Sequence, residues 1–107
     1  MAKYEKDYTE NIAKIADAVE VIVKECLAAY DSTLQKTVME AGDVQTILWT
    51  GMCVYFGGRE AALSVVLTGG AEACHLVVHA APGVGAASID SKVIRKITEK
   101  LTRIERQ

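Results

Sequence analysis

Residues that usually identify a protein's chemistry are scarce in this chain. It has three cysteines and two histidines among 107 residues, with no CxxC motif or paired Cys/His spacing of a metal or disulfide framework. Cys26, Cys53 and Cys74 lie inside apolar segments, where thiols behave as small hydrophobic side chains. We therefore predict no metal, no cofactor and a reducing compartment, taken to be the cytoplasm.

Strong charge and long apolar runs are also absent. The formal net charge is −2, and a weakly acidic chain is poorly suited to neutralising nucleic-acid phosphates. No apolar run approaches the roughly 18 residues needed to cross a bilayer. Residues 1–7 mix both charges and lack the apolar core of a signal peptide. We therefore expect neither a nucleic-acid partner nor a membrane partner.

The composition that remains is that of a globular chain. Half of the residues are hydrophobic and 24% are charged, and the length predicts one α+β domain over residues 1–107. A helix is predicted to begin near Asp7 or Thr9 and to end at Asp31. Its apolar residues recur at helical spacing, at Ile12, Ile15, Ala16, Val19, Ile22, Val23, Cys26 and Tyr30.

Four strands are predicted between this helix and a second one. They cover residues 33–40, 44–56, 61–68 and 73–81, with a bulge or bend at Gly51. Their short connections predict an antiparallel meander, so the order is αββββα with both helices packed on one face of the sheet. The C-terminal helix is capped by Ser88, Asp90 or Ser91. Its predicted apolar stripe is Val93, Ile94, Ile97, Leu101 and Ile104.

The parity of strand pairing divides this sheet into two faces. If the loops have two or four residues, even positions of the second strand share a face with odd positions of the third and even positions of the fourth. A loop of three residues would place one strand's side chains on the opposite faces. The predicted core face carries Leu48, Met52, Val54, Phe56, Leu63, Val65, Leu67, Cys74, Leu76, Val78 and Ala80. The first strand is too polar to orient, and its Lys36 and Glu40 suit an exposed edge.

The opposite face is predicted to be semi-apolar and uncovered. The candidate binding or interface residues on it are Trp49, Cys53, Tyr55, Val66, His75, Val77 and His79. Such compositions are typical of interfaces, and two-fold dimers are the commonest assemblies. We predict a non-enzymatic assembly module that homodimerises through this face. The alternative is a protein that binds a small apolar or aromatic ligand near Trp49, Tyr55 and His75 or in a cleft between sheet and helices; an enzyme is a third reading.

No catalytic residue is predicted. His75 and His79 lie four residues apart on one strand, about 13 Å, which is too far for one metal ion; they are predicted to be interface residues that add sensitivity to acid pH. Cys53 lies two strands from them, roughly 10 Å and beyond the reach of a nucleophile–base pair.

A glycine-rich segment follows the last predicted strand. Gly83 and Gly85, followed by Ser88 and Ser91, resemble a phosphate-binding loop, but no parallel strand comes after them. The segment is predicted to be a connector, and it is the place to look for any small bound anion.

Overall fold

A computed structural model describes residues 2–28, 31–54, 60–82, 95–96 and 99–101. These residues form a mixed α+β fold in which one long helix crosses a five-stranded sheet. The elements are β1 (Ala2–Tyr8), α1 (Ile12–Leu27), β2 (Asp31–Ala41), β3 (Val44–Val54), β4 (Glu60–Gly69) and β5 (Cys74–Pro82).

The helix α1 begins later than the sequence predicts. Asn11 is its N-cap, and its side-chain Oδ1 accepts a hydrogen bond of 2.8 Å from the amide of Ala13, satisfying a donor that the first turn leaves free. The amide of Ile12 donates to the carbonyl of Gly70 at 2.9 Å, which fixes the helix start to the β4–β5 turn. The apolar stripe from Ile12 to Cys26 is buried as predicted, whereas Tyr30 lies outside the described residues.

The sheet has one strand more than predicted. Its order is β1–β5–β4–β3–β2 and all neighbours are antiparallel. The meander of β2 to β5 agrees with the prediction, but β1 occupies the segment where the helix was expected to begin, and Asp7 is paired with His75 there. Polar residues outnumber apolar ones in β1, so its strand character depends on pairing with β5 rather than on a hydrophobic pattern.

The register corrects the predicted division of the two faces. Val54 pairs with Glu60, so residues 55–59 separate the paired ends of β3 and β4, an odd number that inverts β3 relative to the prediction. Trp49 therefore lies opposite Val65, and it is fully buried, whereas Met52 is 44% exposed. The expected core positions Leu48 and Met52 are wrong for this reason. Phe56, Tyr55 and the side chain of Val54 are outside the described set.

The core lies between α1 and the face of the sheet that we call the covered face. The predicted core residues of β4 and β5 are buried there, together with Ile47 and Trp49 from β3. Leu101 of the C-terminal segment joins the same cluster, and Lys100 Nζ lies 3.0 Å from Glu25 Oε2 of α1. Among the described helical residues, no helix is long and apolar enough to cross a membrane.

Gly51 does not mark the predicted bulge. It pairs with Leu34 on one side and Leu63 on the other in an uninterrupted register. A Cβ at this position would come within 2.7 Å of the carbonyl oxygen of Thr33 and 3.4 Å of Leu27. A glycine is required there because the backbone of β2 approaches closely.

Candidate interaction surface

The side of the sheet away from α1, the open face, is covered by none of the described elements. Directly opposite residues of paired strands share a face, so the register gives its membership. Its described side chains are those of Lys3, Glu5, Asp7, Thr33, Gln35, Thr37, Met39, Ala41, Val44, Thr46, Leu48, Thr50, Met52, Ala62, Ser64, Val66, Thr68, His75, Val77, His79 and Ala81. The register also places Asp31, Val54 and Glu60 on this face, by their backbone alone.

An apolar row crosses the centre of the open face. Leu48 pairs with Val66, and Val66 pairs with Val77, so three branched side chains from β3, β4 and β5 stand side by side. All three are partly buried by their neighbours in the sheet. Met39 and Met52, on the same face, are 52% and 44% exposed. This apolar surface is accessible without any rearrangement of the described residues.

A hydroxyl and histidine row flanks the apolar row on one side. His75 pairs with Thr68 across β5 and β4 and with Asp7 across β5 and β1. His75 Nδ1 is 2.6 Å from Asp7 Oδ1, and the hydroxyls of Thr46 and Thr68 are 3.4 Å apart. The Asp–His–Thr order resembles a catalytic row, but no hydrogen bond joins His75 to Thr68. A nucleophile needs its base within hydrogen-bond reach, so this arrangement does not support catalysis.

A second row of hydroxyl and histidine side chains, on the other side of the apolar row, borders a shallow concavity. His79 pairs with Ser64 and Ser64 with Thr50. These residues and Met52 form part of the wall of an open concavity of about 570 Å³. Its remaining wall consists of Thr33, Gln35, Gly51, Ala62, Leu63 and Ala81. A small ligand would find mostly apolar surface and a few hydroxyl groups there.

Charged residues lie at the margins of the open face. Lys3, Glu5 and Asp7 of β1 are charged, and Lys3 Nζ lies 3.0 Å from Glu5 Oε1. Over residues 33–41 of β2, 44–52 of β3, 62–68 of β4 and 75–81 of β5, this face carries no Asp, Glu, Lys or Arg. Asp31 and Glu60 are placed on it by the register, at the ends of β2 and β4. Solvent-facing strands usually carry such residues, whereas the centre of a protein interface is depleted of them.

The predicted site residues fall into three groups. Val66, His75, Val77 and His79 lie together on the open face, as the pairing parity predicts. Trp49 lies on the covered face, and Cys53 is placed only by its backbone, opposite Ala61. The remaining site residues, Tyr55, Gly83, Gly85, Ser88 and Ser91, lie outside the described residues.

Trp49 is part of a polar cluster at the margin of the core rather than of the candidate site. Its indole Nε1 donates to Glu20 Oε1 at 3.1 Å, and the same oxygen is 3.0 Å from Lys36 Nζ. These two hydrogen bonds lower the pKa of Glu20, with smaller contributions from the charges of Lys36 and Lys24. The cluster links α1, β2 and β3 and leaves Trp49 unable to touch a ligand on the open face.

Thiol and metal chemistry find no support in the described part of the chain. Burial raises the pKa of both Cys26 and Cys74, which keeps these buried, free thiols protonated and unreactive. No group of three or more His, Cys, Asp or Glu side chains suited to a metal ion occurs among the described residues.

Sequence reasoning missed the contribution of β1 to the candidate surface. Asp7, Lys3 and Glu5 alternate with Tyr4 and Tyr8, and the two tyrosines belong to or pack against the core. This alternation, which Lys6 interrupts, was a weak signal for a strand.

Comparison with known proteins gives no relative for this chain. No protein-family model matches it. Neither the curated proteins nor the solved structures include a significant match.

Proposed function

We propose that this protein is a non-enzymatic assembly module that homodimerises through the open face. The observation that carries the proposal is the uncharged centre of the open face, around the apolar row of Leu48, Val66 and Val77, with Asp31 and Glu60 only at the ends of β2 and β4. A monomer that kept this face in water would gain solubility from charges at these positions.

The size of the open face suits a stable two-fold dimer. Five strands about 4.8 Å apart and roughly nine residues long give a face of about 24 Å by 30 Å. The buried surface summed over two such faces is then about 1,400 Å², within the standard range for specific interfaces. Two sheets can pack in this way about 10 Å apart.

Two-fold packing also provides for the polar groups beside the apolar row. Thr46, Thr68, Thr50 and Ser64 bring hydroxyls that both donate and accept hydrogen bonds. A hydroxyl therefore finds a partner in the identical face of a second copy without requiring a complementary charge. The charges of β1 stay at the margin, where solvent reaches them.

The fold around this interface is proposed to be completed by a second helix. Arg95, Lys96 and the stretch from Glu99 to Leu101 are helical, and Leu101 is fully buried in the core. A helix through this region would share the covered face with α1 and leave the open face to the second copy. We place the protein in the cytoplasm because its buried thiols suit a reducing compartment.

Sedimentation equilibrium of matched lysine variants tests the proposed dimer. Val66→Lys places a charge in the centre of the face, where desolvation penalises it. Val21 is 56% exposed on α1, so Val21→Lys makes the same chemical change away from the interface. We expect Val66→Lys to weaken association through the open face at least about tenfold and Val21→Lys to associate as the wild type does.

Two results would contradict this proposal. One is a wild-type chain that remains monomeric at about 100 µM, since a specific interface of this size is expected to hold well below that concentration. The other is a folded Val66→Lys variant, verified by circular dichroism, with the dimer constant of the wild type.

The concavity beside His79 supports a second candidate function, binding of a small apolar ligand. Met52 borders the concavity, whereas Met39 lies elsewhere on the open face. Indole added to protein labelled with ¹³C at the methionine methyls should shift the Met52 signal and leave the Met39 signal unchanged. Equal shifts at both methyls, or none, would argue against a ligand site in this concavity.

A further inference from the structure

β2 is an outer strand of the sheet, and no described strand lies beyond it. Its residues from Gln35 to Ala41 are all exposed, including Val38 at 48% and Met39 at 52%. An edge of this kind presents a row of backbone donors and acceptors to another strand.

The opposite edge of the sheet is built differently. β1 has seven residues, of which Lys3, Glu5, Lys6 and Asp7 are charged. Such charges are a common way to block pairing at an edge. β2 has eleven residues, and its exposed stretch contains two charged residues, Lys36 and Glu40, on either side of Val38. β2 is thus the edge with less protection against a further strand.

The spacing of these residues is self-complementary. In an antiparallel pair related by a two-fold axis, the residue at the axis faces its own copy. With Val38 at the axis, Lys36 faces Glu40 of the second copy, and Glu40 faces its Lys36. Val38 meets Val38, and Thr37 meets Met39. Opposite charges placed directly opposite each other stabilise strand pairing.

Other registers lose this complementarity. An axis at Lys36 or at Glu40 brings two like charges face to face, which opposes pairing. An axis at Thr37 leaves Lys36 opposite Val38, and an axis at Met39 leaves Glu40 opposite Val38. The charge pattern therefore favours the register with the axis at Val38.

We propose that β2 pairs antiparallel with β2 of a second copy of this chain, about a two-fold axis at Val38. The result is a continuous ten-stranded sheet with both α1 helices on one side. Within one chain, Lys36 Nζ contacts Glu20 and Glu40 Oε1 accepts from Gln45 Nε2 at 2.9 Å. Both side chains lie on the α1 side of β2, and pairing would let each exchange its present contact for the opposite charge on the second copy. The pairing leaves the open face free, so it does not depend on the function proposed above. When both contacts form, the chain assembles beyond a dimer, and Val66→Lys leaves the edge-paired dimer.

Disulfide trapping at single positions tests the register. Val38→Cys should form a cross-linked dimer under mild oxidation because the two copies face each other at the axis. Thr37→Cys is the matched control. In the proposed register, residue 37 of one chain lies opposite Met39 of the other chain, so the two introduced cysteines are offset by two residues along the strands. The wild type, which retains Cys26, Cys53 and Cys74, sets the background from native thiols, of which Cys26 and Cys74 are buried. Equal cross-linking of Val38→Cys and Thr37→Cys would overturn the proposal.

Charge reversal tests the pairing energy. Glu40→Lys places lysine opposite Lys36 of the second copy, and we expect about tenfold lower yield of the Val38→Cys cross-link at limiting protein concentration. Glu72→Lys makes the same change in the exposed β4–β5 turn and should leave the yield unaltered. An unchanged yield with Glu40→Lys would overturn the proposal.

A double variant, Val38→Cys combined with Val66→Lys, separates this edge contact from the open-face dimer. Val66→Lys should preserve the Val38→Cys cross-link, whether or not the open face dimerises. Loss of the cross-link in folded Val66→Lys would show that the edges meet only when the faces pack, and would overturn an independent edge contact.

Discussion

At the scale of single residues, the junction of α1 with the sheet depends on the hydrogen bond made by the indole N–H of Trp49. Its side chain is fully buried, and a buried indole N–H without an acceptor is costly. Glu20 supplies the acceptor, and Lys36 neutralises Glu20 while lying 5.7 Å from the centre of the Trp49 ring. Three elements are joined through one carboxylate.

Removal of that carboxylate should destabilise the fold. We expect Glu20→Ala to lower the free energy of unfolding by about 1–3 kcal/mol, because the indole loses its acceptor. Glu20→Gln keeps an acceptor oxygen and should lose less. Glu10→Ala removes only an exposed pair with Lys14 and should cost under about 0.5 kcal/mol. Urea denaturation measures all three; a loss for Glu20→Ala no greater than for Glu10→Ala would contradict the role of Glu20.

Acid should reveal the same interaction. Since the pKa of Glu20 is lowered in the folded chain from its ordinary value of 4.5, the contribution of the ionised carboxylate is complete above that value and is lost as the pH falls below it. The stability advantage of the wild type over Glu20→Gln should therefore shrink in urea melts taken at successively lower pH from about 5 to about 3. An advantage that stays constant over this range would contradict the lowered pKa.

At the scale of elements, what the sequence predicts depends on how strongly each segment's own pattern decides its structure. The stripe of α1 and the apolar alternation of β4 and β5 are strong local signals, and both agree with the structure. The face of β3 was predicted by taking the number of residues in the β3–β4 connection as even. A change of one residue in that number exchanges the faces on which Trp49 and Leu48 lie. The strand β1 forms against β5, so its own charged sequence gives a weak signal.

Tyr8 is the residue through which β1 is anchored. It is 3% exposed and belongs to the core cluster. We expect Tyr8→Ala to cost about 3 kcal/mol, as removal of a buried aromatic ring usually does, and to speed hydrogen–deuterium exchange in β5 as β1 loosens. Lys3→Ala, at an exposed position of the same strand, should alter neither the free energy of unfolding nor the exchange in β5. Equal exchange in β5 for the two variants would contradict a stabilising role for β1.

At the scale of the whole molecule, the sheet has one face closed by helical residues and one whose centre, across β2 to β5, is uncharged. Parity reasoning placed Val66, Val77, His75 and His79 together correctly, because an even connection joins β4 to β5. It placed Trp49 and Cys53 with them because the β3–β4 connection was taken as even. The candidate site therefore contains fewer aromatic residues than the sequence predicted, and it is centred on Leu48, Val66 and Val77.

Isotope-filtered nuclear Overhauser measurements on a mixed dimer test the open-face contact most directly. One copy carries ¹³C-labelled methyl groups and the other is unlabelled, so only contacts between chains appear. We expect intermolecular signals from the methyls of Leu48, Val66 and Val77, with Val21 on the outer surface of α1 giving none. Intermolecular contacts confined to β2 near Val38, or no contacts at all, would contradict dimerisation through the open face.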